Sequence, residues 1–125
     1  MKADRVTAKR VDAEKRGRSS ETLAALLLRL KGYRILGRRV RTRAGEIDLV
    51  ARSPQGVLCF VEVKARGAAR DAALSVAPRQ QARIARAASL FVAGKPGLAR
   101  AAMRFDIVTV SPRTLPRHIR DAWRP

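Results

Sequence analysis

The stretch GEIDLVARSPQGVLCFVEVK, residues 45–64, decides how the rest of the chain is read. It holds two apolar runs separated by Ser53-Pro54-Gln55-Gly56, a turn by composition. Glu46 to Ala51 read as one strand and Val57 to Val63 as the next. The latter is apolar on both parities until Glu62, the pattern of a strand buried on both faces. Side chains alternate along a strand, so Glu46 and Asp48 share a face, as do Glu62 and Lys64. A tight hairpin centred on Gln55 sets Asp48 directly across from Glu62, with Cβ atoms about 4.5–5.5 Å apart.

Packing alone does not explain that juxtaposition. Two carboxylates about 5 Å apart repel by roughly 3 kcal/mol at an effective dielectric near 20. Lys64 offsets part of the repulsion, while Glu46 brings a third carboxylate to the same sheet end. A divalent cation resolves the conflict, and hard oxygen ligands of this kind suit Mg²⁺ or Mn²⁺. Asp48, Glu62 and Glu46 are therefore the candidate metal ligands. Such an ion lowers the pKa of a bound water and neutralises charge on a phosphodiester. Lys64 would orient the attacking water or steady charge that develops on phosphorus oxygens. Taken alone, Glu-x-Lys is a common ion pair on a sheet edge. Set beside Asp48 on the preceding strand, with apolar flanks on both, it points to a metal site.

Outward from this core, residues 1–16 are charged without an apolar period and read as a basic arm. Ser19 or Ser20 can cap a helix with Glu21 in its first turn. Leu23, Leu26, Leu27 and Leu30 then mark one helical face, and Gly32 after Lys31 ends it. Tyr33 to Val40 read as a strand, with Arg38, Arg39, Arg41 and Arg43 leading toward a turn at Ala44-Gly45. Residues 66–76 read as an exposed loop. Pro78 opens a second helix that runs to about Ala93, ended by Gly94 and Pro96. Met103 to Val110 make a fourth strand, and residues 113–125 read as a tail in which Trp123 docks. The order helix, three strands, helix, strand predicts an α/β domain over residues 17–112, a mixed sheet flanked by helices.

Composition narrows the partner. Twenty-eight Lys and Arg face ten Asp and Glu, a formal charge of +18 and a pI near 11.8. Drift toward Arg could add cations, since 22 of the 28 are Arg, but it would not leave so few acids to balance them. The surplus predicts a polyanionic partner, with nucleic acid the commonest. Aromatic residues are only 4 % of the chain, which gives little for bases to stack on. The one cysteine, Cys59, lies in an apolar run and reads as a buried structural thiol. The longest apolar stretch, Leu23 to Leu28, is far short of a membrane span and lacks a cleavage site, so a cytoplasmic protein is expected. Asp106 reads as a cap or an Arg partner, and His118, the only histidine, has no expected catalytic role.

Gly45-Glu46-Ile47-Asp48-Leu49-Val50, a short turn, then Phe60-Val61-Glu62-Val63-Lys64-Ala65-Arg66 resembles the PD-(D/E)xK nuclease superfamily. More narrowly it resembles the small bacterial YraN-type family, related in sequence to archaeal Holliday-junction resolvases. The likeness runs from about Gly17 to Val110. It includes Gly17 with Glu21, Gly32-Tyr33 after the first helix, and Arg104-Phe105-Asp106 in the last strand. The resemblance implies a restriction-endonuclease-like fold, Asp48 and Glu62 as ligands of Mg²⁺ or Mn²⁺, and Lys64 as the catalytic lysine. Glu21 would be the additional acid near the metal. It implies an endonuclease acting on DNA, branched or junction DNA included. Because a junction needs two sites, it also implies a homodimer. The family's second helix often starts in a Pro-x-Lys context, where this chain reads Pro78-Arg79-Gln80-Gln81; a phosphate contact there passes to Arg79 or is lost. Arg38, Arg39, Arg41, Arg43 and Arg79 are the candidate phosphate contacts. Two other classes stand beside the nuclease: a nucleic-acid-binding protein without catalysis on the same fold, and a basic RNA- or ribosome-associated protein whose acids only pair with Arg.

Overall fold

The computed structural model describes residues 19–65 and 76–125. The expected basic arm, Gly17 and all but the end of the expected loop after Ala65 lie outside them. Residues 19–30 form α1. Its end is set by Gly32, whose φ of +88° is left-handed. That turn lets the Gly32 N–H reach the Arg29 carbonyl at 3.0 Å and the Tyr33 N–H the Leu28 carbonyl at 2.9 Å, closing the helix. A Cβ at position 32 would also stand 3.2 Å from Pro54 Cγ.

The leucine stripe is not the packed face of α1. Leu23, Leu26 and Leu30 are 44 %, 50 % and 78 % exposed, whereas Glu21, Ala24, Ala25 and Leu28 are buried. The small side chains let the helix lie close on the sheet, and close approach outranks side-chain apolarity here. This rotation carries Glu21 inward.

The sheet has five strands: β1 (Arg34–Thr42), β2 (Gly45–Arg52), β3 (Leu58–Ala65), β4 (Met103–Val110) and β5 (Arg117–Trp123), paired in that order. All neighbours are antiparallel except β3 and β4, which run parallel from Leu58↔Met103 to Ala65↔Val110. A parallel pair needs a long crossover, and α2 (Pro78–Ala93) supplies its helix. The result is the α/β mixed sheet flanked by two helices that the sequence predicts.

Alternation along β3 divides the core. Leu58 and Phe60 join Ile47, Val50, Phe105, Ile107 and Trp123 against Ile84, Ala87 and Ala88 of α2. Cys59 and Val61 join Leu49, Ala51, Tyr33, Val108 and Val110 against Ala24, Ala25 and Leu28 of α1. Burial pushes the Cys59 thiol up to about 11, so it is inert packing.

The C-terminal residues are more than a tail. Trp123 stacks on Phe105 with centroids 4.3 Å apart, and β5 closes the sheet edge. Its pairing jumps from Ile107↔Ile119 to Phe105↔Trp123, so extra residues bulge out around Asp121, at φ +51°. The bulge breaks the period-2 pattern, which is why no strand is legible there. Among the described residues no helix is long and apolar enough to cross a membrane.

Candidate active site

The β2–β3 ladder runs Arg52↔Leu58 to Leu49↔Val61, the register of a hairpin centred on Gln55. The turn is held by the Ser53 hydroxyl, which accepts the Val57 N–H at 3.0 Å. Beyond Leu49 the ladder gives way to a side chain. The Val63 N–H donates to Asp48 Oδ2 at 2.8 Å. The strands part here, and Asp48 and Glu62 occupy the opening.

Both acids are partly buried. Burial pushes Asp48 up to about 6, with Glu21 and Glu46 adding repulsion against the opposing Val63 N–H and Arg39. Burial likewise pushes Glu62 up to about 7, with Asp48 adding to the rise. Lys64 and the Gln80 amide, whose Nε2 donates to Glu62 Oε1 at 3.4 Å, pull the other way. Lys64 stands two residues beyond Glu62 on the same strand.

The other candidate acids are matched to arginines. Glu21, buried on α1, accepts from Arg39 Nε at 2.8 Å. Arg39 has φ +49°, a left-handed backbone that costs a non-glycine residue about 1–2 kcal/mol. Glu46 is paired with Arg41 at 3.6 Å, and both side chains are largely exposed. Arg38 donates to the Thr22 hydroxyl at 2.8 Å. Arg43 lies in the β1–β2 turn and Arg79 in the first turn of α2, both exposed.

Among the described residues, no three His, Cys, Asp or Glu side chains are grouped closely enough to hold an ion by themselves. Asp48 and Glu62 offer two carboxylates. Mg²⁺ is commonly bound through one or two carboxylates, with water and substrate phosphate completing its octahedron. The donor chemistry fits a hard cation of that kind. Gln80 is the residue that sequence reasoning passed over. It stands two positions after Pro78, where a Pro-x-Lys pattern would put lysine, and it reaches Glu62. That spacing was the available signal.

Asp106, His118 and Arg104 form a separate network on the sheet. Arg104 donates to both Asp106 carboxylate oxygens at 2.8 Å and to the Tyr33 hydroxyl at 2.8 Å. His118 Nε2 meets Asp106 Oδ2 at 2.8 Å, and its Nδ1 meets Lys31 Nζ at 2.6 Å. The Asp121 N–H adds a third donor to Asp106 at 3.0 Å. Burial would raise Asp106, but these donors outweigh it and hold the group down to about 2. The network ties β5 to β4 and to the end of α1. This is the Arg-paired role expected of Asp106.

A mixed five-stranded sheet flanked by two helices, opening at one strand end onto paired acids and a lysine, defines an α/β protein with a charged strand-end site. The chain belongs to the YraN family. The model described as uncharacterised protein family UPF0102 matches residues 20–110, which hold Glu21, Asp48, Glu62, Lys64 and Asp106. A UPF0102 protein of Parvibaculum lavamentivorans is 54 % identical over 109 residues, covering 87 % of this chain and 81 % of that protein. One from Bradyrhizobium sp. (strain ORS 278) is 52 % identical over 114 residues, 91 % of this chain and 80 % of its own. One from Maricaulis maris is 49 % identical over 120 residues, 96 % and 94 % of the two chains.

Proposed function

We propose that this protein is a metal-dependent endonuclease that hydrolyses phosphodiester bonds in DNA, branched or junction DNA included. The observation that carries the reading is the pair Asp48 and Glu62. Two partly buried carboxylates meet where β2 and β3 part, and each is pushed above its ordinary range, to about 6 and about 7. A folded chain keeps such a conflict where a ligand relieves it, and sites of this kind cluster at functional positions. The charge of +18 supplies the attraction for a polyanion.

Asp48 and Glu62 would hold Mg²⁺ or Mn²⁺, whose chemistry there is to acidify water and to neutralise phosphate charge. The rest falls to the chain itself. The Val63 N–H fixes the Asp48 carboxylate, and Gln80 fixes that of Glu62. Lys64, beside Glu62, stabilises charge developing on a non-bridging phosphate oxygen or orients the attacking water. Glu21 and Arg39, locked together, set the electrostatic wall next to Asp48. Arg38, Arg41, Arg43 and Arg79 would contact the nucleic-acid backbone. A homodimer would present two such sites to the two strands of a junction.

One observation favours a second reading, a nucleic-acid-binding protein without catalysis. Glu46 and Glu21 are committed to arginines, leaving two carboxylates rather than three. The experiment is Mn²⁺ calorimetry on the intact protein and on Asp48→Ala, followed by cleavage of labelled linear, flapped and four-way DNA. Metal binding lost in the variant, with metal-dependent cutting of one substrate, is the expected result. Absence of metal binding in the intact protein refutes the nuclease and leaves the binding protein.

A further inference from the structure

We propose that the groove between the β1–β2 turn and the C-terminal half of α2 holds one unpaired nucleotide of the DNA strand entering the acidic site. The inference rests on the nucleic-acid reading above and adds a subsite to it. The groove is open to solvent, offers about 660 Å³, and is lined by Arg43, Ala44, Ala85, Arg86, Ser89 and Leu90. That volume lies within the range of small-molecule sites, ~300–1,000 Å³.

Its walls are built. Thr42 Oγ1 accepts the N–H groups of Ala44 and Gly45 at 3.1 Å each and donates to the Gly45 carbonyl at 2.8 Å, which fixes the turn. The turn then rests on α2. At Gly45, φ +152°, a Cβ would meet Arg83 Cγ at 2.8 Å, so only glycine lets the hairpin settle on that arginine's stem. The space beside the contact is therefore preformed.

Its chemistry is two-sided. Ala44, Ala85 and Leu90 give an apolar floor, and Arg43 and Arg86 give cationic jaws. Among the described residues no carboxylate pairs with Arg43, Arg79, Arg83 or Arg86. The three helix arginines follow at spacings of four and three, one face of α2, spanning about 10 Å of rise. That row begins beside Gln80, which touches Glu62, and ends at the groove. A flat apolar face between phosphates is what a nucleotide offers to such a surface, and guanidinium planes accept a splayed base without aromatic help. In a duplex the base faces are stacked away, so an unpaired nucleotide fits and a paired one does not.

The test is fluorescence anisotropy in EDTA, comparing a blunt DNA duplex with the same duplex carrying a short unpaired flap. The intact protein is expected to favour the flapped DNA by roughly tenfold, the scale of one stacked base. Ser89→Leu fills the groove at constant charge without adding an aromatic platform, and should abolish the preference while leaving blunt-duplex affinity unchanged. Arg43→Ala with Arg86→Ala should abolish it too and shallow the salt dependence of flap binding by about 0.7 per lost phosphate contact. Thermal melts of the variants should match the parent, since all three positions are exposed. Equal affinity of the intact protein for both DNAs, or a preference that survives Ser89→Leu, overturns the subsite. Because no metal is present, groove-dependent binding without any cutting in Mg²⁺ would refute the nuclease and keep the subsite; metal-dependent cutting by a protein with no flap preference would do the reverse.

Discussion

Metal affinity should collapse on acidification in a pH window where ordinary carboxylates would hardly respond. The perturbation is pH alone, from 8 to 5, with Mn²⁺ affinity measured by calorimetry at each step. Metal binds the ionised pair, so affinity follows the fraction of molecules with Asp48 and Glu62 both deprotonated. With values of about 6 and about 7, that fraction is near unity at pH 8 and roughly one in a thousand at pH 5. Mn²⁺ affinity should therefore fall by about three orders of magnitude, roughly 4 kcal/mol. Two unperturbed carboxylates near 4 would lose less than about twofold over the same range. The apo protein should move the opposite way. Both groups bind protons more readily folded than unfolded, so their contribution to stability improves as pH falls through 7 and 6 and is complete near 4. A thermal melt series without metal reads that sign. A Mn²⁺ affinity that changes less than tenfold between pH 8 and pH 5 refutes the burial argument for the pair.

Other outcomes follow from the same geometry. Lys64→Met should reduce cleavage by roughly 10²–10⁴-fold while leaving Mn²⁺ affinity intact; loss of both would assign Lys64 to structure instead. Arg39→Ala strands the buried Glu21 and should cost about 1–3 kcal/mol in urea denaturation. Arg39→Gly should cost about 1 kcal/mol less than the alanine variant, because glycine relaxes the φ of +49°; a glycine variant no better than alanine removes the strain argument. Asp106→Asn breaks an ion pair whose carboxylate is fully buried and should cost about 3–5 kcal/mol. In the intact protein the Asp106 carboxylate, about 2 when folded, gives stability that is present above about 4 and lost as pH falls toward 2, about 2 kcal/mol in all. The stability gap between the parent and the asparagine variant should narrow by about 2 kcal/mol as pH falls from 5 toward 2.

The hairpin that builds the site was legible because a turn of fixed composition sets its register: once Gln55 is the centre, Asp48 must approach Glu62. The helix over Pro78–Ala93 was legible because proline and glycine mark its ends. The face of α1 was not, since Leu23, Leu26 and Leu30 outweigh Ala24 and Ala25 in apolarity but not in fit to a flat sheet. β5 was hidden by its bulge, and His118 drew no weight because its partners Asp106 and Lys31 lie 12 and 87 residues away. What composition could not reveal is the division of labour among the acids. Glu21, Glu46, Asp48 and Glu62 read alike in sequence; only the fold gives two of them to arginine.

That division explains how two acids can stand high in a chain of charge +18. A field so positive favours ionised carboxylates everywhere, and Asp106 shows the effect at contact, where Arg104 and His118 hold it near 2. Asp48 and Glu62 escape because the nearest guanidinium groups are committed elsewhere. Arg39 points its Nε at Glu21, held by a left-handed backbone, and Arg41 turns to Glu46. Lys64 lowers Glu62 and Arg39 lowers Asp48, each too little to offset burial and the repulsion between acids. Among the described residues no arginine forms an ion pair with either of the two acids at the end of the sheet. A cation drawn from solution would meet two acids that no described side chain holds in an ion pair, and a phosphate drawn by the positive surface would arrive beside it.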